Sequence, residues 1–232
     1  MAGKRMPRAK KKKLKEPDEF ITFSSKALAF LLENKSQAIF ISISLLLIMI
    51  IFTGIRSYSI KAENRAFAML SQSMAEYQAD VKEGRNTSAL QKVDEELNAI
   101  LDQYSAGSAK KFAKVYLANI HFQNKDFDKA VDLYDLALKD FGEDPLINNL
   151  ILSSLACSYA EKNDYKSALS YFETIVSGGN GFMKDEALFN LGRLYEATGE
   201  QDKSRDAFLS LDKNYPDYLY AELIKEKSLH VR

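Results

Sequence analysis

The chain has 232 residues, and its 32 Lys and Arg balance 32 Asp and Glu. A hydrophobic content of 46% with 28% charge excludes wholesale disorder, and one cysteine, Cys157, excludes an intrachain disulfide or a cysteine-based zinc site. The zero net charge conceals a division: residues 1–35 carry ten basic against four acidic residues, and residues 36–232 carry 22 against 28. With ten Gly, four Pro and no run of alternating strands, the composition leans towards helix.

Residues 1–16, with a lysine run at 10–13, read as a disordered basic leader. Such a run also suits anionic lipid or RNA, but no interleaved aromatics or nucleic-acid module accompany it, so no nucleic acid is expected. Residues 17–35 read as an amphipathic helix: Pro17 suits a first helical position, Asp18 and Glu19 complement the dipole, and Phe20, Phe23, Ala27 and Leu31 recur at helical spacing. It would lie in the headgroup region or dock on a membrane partner.

Residues 36–55 contain no charge, and 36–56 is the predicted transmembrane helix. Seven Ile, three Leu and two Phe in that window favour insertion by about 6 kcal/mol before Ser42, Ser44 and Thr53 subtract some. A cleaved signal peptide is the rival reading, but its leader and apolar core are shorter than these. Basic residues concentrate before the span, so the N-terminus is expected in the cytoplasm and the remainder translocated.

Beyond the span, residues 57–107 read as a linker helix and a degenerate first repeat. The linker runs to Gly84, and Asn86 or Thr87 is available to cap the next helix. A repeat then stands out in 108–232. Leu117, Ala118, His121, Asp126, Phe127, Ala130, Tyr134 and Ala137 form one series; Leu155, Ala156, Tyr159, Asp164, Tyr165, Ala168, Phe172 and Ile175 form a second. Leu188, Leu191, Gly192, Tyr195, Gly199, Glu200, Ser204, Phe208, Leu211 and Pro216 form a third, and corresponding residues are 38 and then 36 apart. This resembles the tetratricopeptide repeat, two antiparallel helices whose small residues permit close approach. Asp126, Asp164 and Glu200 stand where second helices begin, the aspartates as possible N-caps. Residues 216–229 are expected to cap the stack, and 177–181, with three Gly in five residues, to form a looser connection. The fold class is therefore all-α: one N-terminal transmembrane helix followed by a tetratricopeptide-repeat α-solenoid.

Chemistry for catalysis is missing. His121 falls on a core position, Cys157 sits mid-helix in an apolar run, and no phosphate-cradling loop, nucleophile elbow or zinc-ligand pair occurs. No catalytic residue, metal site or cofactor is expected, and the chain does not read as an enzyme.

The arrangement of Asp18-Glu19-Phe20, the amphipathic run ending Glu33-Asn34-Lys35, the single span and repeats through Tyr220 is similar to the ancillary SecYEG translocon subunit family. These YfgM-like proteins share their repeat domain with cell-division coordinators of the CpoB type. The resemblance implies a bacterial inner-membrane protein with a periplasmic repeat domain, working beside the SecYEG translocon with periplasmic chaperones or secretory clients. The long Lys-rich leader departs from that pattern.

In such repeats the first helices line a groove. By the repeat offsets its candidate residues are Phe112, Val115, Asn119, Phe122 and Gln123 from the first copy. Leu150, Ser153, Cys157 and Glu161 come from the second, and Glu186, Phe189, Arg193 and Glu196 from the third. Mixed aromatic, amide and charged groups suit an extended or helical peptide, unless several of them pack against the next repeat instead. Basic clamp residues for a C-terminal carboxylate are sparse.

Overall fold

Eight α-helices and no strand occur among the described residues of the computed structural model, which are Ser25, Lys26, Ala29, Phe30, 33–104 and 107–218. The expected leader 1–16, most of the helix expected over 17–35 and the chain after Tyr218 lie outside them. Two compact units divide the chain, Met1–Ser59 and Ile60–Arg232.

Helix α1 spans Lys35–Lys82. Its apolar window has a mean hydropathy of 2.8 and no buried share, so it is long and apolar enough to cross a membrane. Within it, Thr53 donates its hydroxyl to the Met49 carbonyl at 2.8 Å, which satisfies that polar group inside the helix. Burial begins only at Ala66 and recurs at Leu70, Ser73 and Tyr77, one face of the helix.

In the second unit that face joins α2, Asn86–Gln103, and α3, Ser108–Gln123. Ala66 and Leu70 share one core with Val93, Leu97 and Ile100 and with Ala113, Leu117 and Ile120. Neither Asn86 nor Thr87 caps α2. Arg85 takes the cap position without a side-chain cap bond, because its guanidinium carries donors and no acceptor; it pairs instead with Asp80 in α1 and with Glu83 just beyond it. The start of α3 has a distant partner: Glu63 on α1 accepts from the Ala109 amide at 2.9 Å.

Three hairpins follow: α3 with α4 (Phe127–Phe141), α5 (Pro145–Glu161) with α6 (Tyr165–Ser177), and α7 (Lys184–Ala197) with α8 (Gln201–Asn214). Each helix packs on the next in chain order from α2 onwards. The repeat register is visible in the backbone. Lys125, Asn163 and Gly199 all turn with positive φ (63°, 59° and 81°) at the same place in the three copies. The predicted small residues are buried where paired helices meet: Ala118, Ala130, Ala156 and Ala168 are fully buried. In the third copy a Cβ on Gly192 would lie 2.5 Å from the Phe208 ring, and Ser204 donates to the Gly192 carbonyl at 2.8 Å.

The expected N-caps separate. Asp164 accepts from the Ser167 hydroxyl at 2.7 Å and its amide at 3.2 Å, which holds its carboxyl below the usual range. Asp126 takes the cap position without capping, since its carboxylate is drawn to His121 and Lys129. Glu200 likewise makes no cap bond and pairs with Lys203 at 2.5 Å. The connection after α6 is tied rather than loose. Asn149, 5% exposed, donates to Asn180 Oδ1 at 2.9 Å and to the Phe182 carbonyl at 2.8 Å. After α8, Pro216 and Asp217 form a turn, so the capping helix expected from 216 does not include them, and its remainder past Tyr218 lies outside the described residues.

Candidate protein-binding surface

The first helices α3, α5 and α7 carry the candidate residues at matching positions. Asn119, Cys157 and Arg193 are equivalent, as are Val115, Ser153 and Phe189, and Phe112, Leu150 and Glu186. Equivalent positions do not have equivalent exposure. Val115 and Ser153 are 7% and 5% exposed, so they pack within the stack and offer a partner little surface. Phe112 is half-buried, its ring 5.2 Å from Phe141 and 6.4 Å from Phe67. Phe122 meets Phe127 edge-on at 5.5 Å. Gln123, Leu150, Glu161, Arg193 and Glu196 are exposed.

Polar groups on the first helices are organised from behind. The Tyr134 phenol on α4 donates to Asn119 Oδ1 at 2.5 Å, and burial pushes its pKa up to about 12, so it remains a donor. Cys157 is half-buried, and burial raises its thiol to about 11, with Glu186 and Glu161 adding to the rise and Arg193 opposing it. The structure thus gathers Cys157, Glu161, Glu186 and Arg193 into one electrostatic neighbourhood on α5 and α7. Arg193 also lies over the Phe189 ring at 5.7 Å.

At the far end, a cavity of about 630 Å³ is lined chiefly by Phe182, Met183, Asp185, Glu186, Phe189, Asn190, Tyr215 and Tyr218. The sequence reading reached Glu186 and Phe189 but missed Phe182, Tyr215 and Tyr218, because they lie in connections outside the repeat offsets. Aromatics beside Gly181 and Pro216 were the only local signal. His121 is a core residue, 3% exposed, with Nε2 2.9 Å from Asp94 Oδ1 and Nδ1 3.3 Å from Asp126 Oδ2. Among the described residues, no cluster of three His, Cys, Asp or Glu is placed to hold a metal ion.

Stacked antiparallel hairpins in one register, with side chains of the first helices left exposed, define an α-solenoid of helical repeats. The chain belongs to the tetratricopeptide repeat-like domain family, which matches residues 33–227. A TPR repeat-containing protein of Treponema pallidum (strain Nichols) is 23% identical over 154 residues, and the chain spans 64% of that relative's length with 64% of its own. A tetratricopeptide repeat protein from Parabacteroides merdae superposes with a TM-score of 0.55 at 18% identity, over 71% of this chain and 64% of that one. Kinesin light chain TPR-like repeats from Podosopora anserina give 0.57 at 13% identity, over 70% and 84%. At these identities the structural likeness shows the fold. Domains of this family bind other proteins and are typically scaffolds rather than enzymes.

Proposed function

We propose that the chain is a single-pass membrane protein whose repeat solenoid, translocated across the bacterial inner membrane, holds segments of other proteins beside the SecYEG translocon. The observation that carries the anchor is the apolar window of α1, of which no share is buried in the protein. An apolar surface of that length needs a cover, and a bilayer supplies one. The basic excess before the span and acidic excess after it support a cytoplasmic N-terminus. Family membership and the exposed first-helix residues support protein binding, and the similarity to the YfgM-like proteins supports secretory clients and chaperones as partners.

Photocrosslinking amino acids at Gln123 and Leu150 in intact cells test this reading. It requires adducts with many secretory proteins and with SecYEG. One stoichiometric envelope or division protein, with no translocon adduct, would replace it with a structural scaffold. A reporter active only outside the cytoplasm, fused after residue 232, is expected to be active; a silent but stable fusion would reverse the topology.

A further inference from the structure

The turn within each of the three hairpins has a counterpart at the end of α1, inside the second unit. Lys125, Asn163 and Gly199 each donate an amide to the carbonyl three residues back, and the next residue donates to the carbonyl five back, at 2.8–3.2 Å. Gly84 and Arg85 do the same to Val81 and Asp80 at 3.0 and 2.9 Å, and Gly84 also has a positive φ, 80°. Five residues after the turn, Ala89 is buried as Ala130, Ala168 and Ser204 are. The end of α1 is therefore in register with α3 and α5, and the row of first helices begins on it.

Its two edges differ in chemistry. Set back from the turns, Phe67 on α1, Tyr116 on α3 and Leu150 on α5 are 36%, 39% and 41% exposed, and the Phe67 ring lies 6.4 Å from Phe112. Beside the turns the equivalent residues are Lys82, Gln123 and Glu161, all exposed. Opposite charges next to them are engaged elsewhere: Asp80 and Glu83 hold Arg85, and Lys162 pairs with Asp128. Lys82 and Glu161 make no ion pair among the described residues. Between the edges lie the amides of Gln78 and Asn119. Asn119 Oδ1 already accepts from Tyr134, which leaves its amino group to donate outwards.

We propose, resting on the first helices as the protein-binding surface, that α1, α3 and α5 take an extended segment whose apolar and polar residues alternate, the pattern of an amphipathic β-strand. An extended chain laid across these helices turns successive side chains to opposite sides. Alternate residues meet Phe67, Tyr116 and Leu150, and those between meet Lys82, Gln123 and Glu161. The segment's free backbone carbonyls accept from the amides of the floor, whereas a helix has already used its own. Packed helices lie about 8–10 Å apart, so Lys82 and Glu161 are separated by roughly 16–20 Å, about six residues of strand. An acid facing Lys82 and a base facing Glu161 at that even spacing fall on one side of the segment.

Two fluorescein-labelled peptides of identical composition, added to the full chain in lipid nanodiscs, test this by anisotropy. One alternates Leu with Ser and carries Asp and Lys at the spacing above; the other places its Leu at helical spacing. The alternating peptide is expected to bind at least about tenfold more tightly. Phe67→Ser should weaken it severalfold, and so should Lys82→Glu. Replacing the peptide's Asp by Lys should then restore binding to Lys82→Glu, a rescue that a folding defect would not allow. Equal binding of the two peptides, tighter binding of the helical one, or binding unmoved by Lys82→Glu overturns the proposal. No binding of either peptide, with adducts at Gln123 and Leu150 in cells, rejects it and leaves the proposed function standing. The expected peptide binding without those adducts would instead fault the cellular reading alone.

Discussion

Cys157 shows how one half-buried side chain reports on the stack around it. Its thiol is raised from 9.0 to about 11, so little thiolate exists near neutrality. At pH 8 its reaction with a maleimide should be about 100-fold slower than that of a free cysteine, and should climb as pH approaches 11. A rate equal to the free thiol would place Cys157 in water and undo the α5–α7 arrangement. The unfolded thiol ionises from about 9 while the folded one holds its proton, so stability falls as pH rises through that window. Tyr134, raised from 10.0 to about 12, adds to the same alkaline loss. Gly192 reports on packing rather than charge. Alanine there forces a methyl against Phe208, and Gly192→Ala should cost about 1–3 kcal/mol, read as a lower melting temperature. An unchanged melt would show that α7 and α8 are farther apart than described.

The helices differ in how much of their placement is local. Asp144 caps α5 through the Leu146 and Ile147 amides at 3.0 and 3.2 Å with Pro145 beside it, an arrangement whose residues are adjacent in sequence. The start of α3 is the opposite case. Its Ala109 amide is satisfied by Glu63, 46 residues earlier, and Gly107 at φ 125° leaves room where a Cβ would overlap that carboxylate. Glu63→Ala should therefore destabilise the full chain by about 1 kcal/mol and speed amide exchange in the first turn of α3. Unaltered exchange there would show that water replaces Glu63 at no cost. The same division explains what the sequence made legible. Offsets of 38 and 36 residues located the three hairpins, because small residues at close helix contacts recur wherever that contact recurs. The tie from Asn149 to 180–182 spans more than thirty residues, so glycine content alone pointed to a loose loop. Exposure along the candidate surface was not legible for a related reason: equivalent positions face different neighbours, so Asn119 and Cys157 are half-buried while Arg193 is exposed, and Val115 and Ser153 are buried within the stack.

For the whole molecule, the balanced charge count resolves into a basic N-terminal part, an uncharged apolar stretch and an acidic repeat region. The repeats give the protein first helices with a mixed surface, and the apolar half of α1 is long and apolar enough to cross a membrane. The central claim is that partners meet the first helices and not the outer faces of the second ones. Leu136 and Leu209, on α4 and α8, are 46% exposed and supply apolar positions of comparable accessibility for comparison. Photocrosslinkers placed singly at Gln123 and Leu150, and at Leu136 and Leu209, in intact cells measure this directly. The account predicts protein adducts from Gln123 and Leu150 at several times the yield from Leu136 and Leu209; equal yields from both sets, or adducts confined to the second helices, would contradict it.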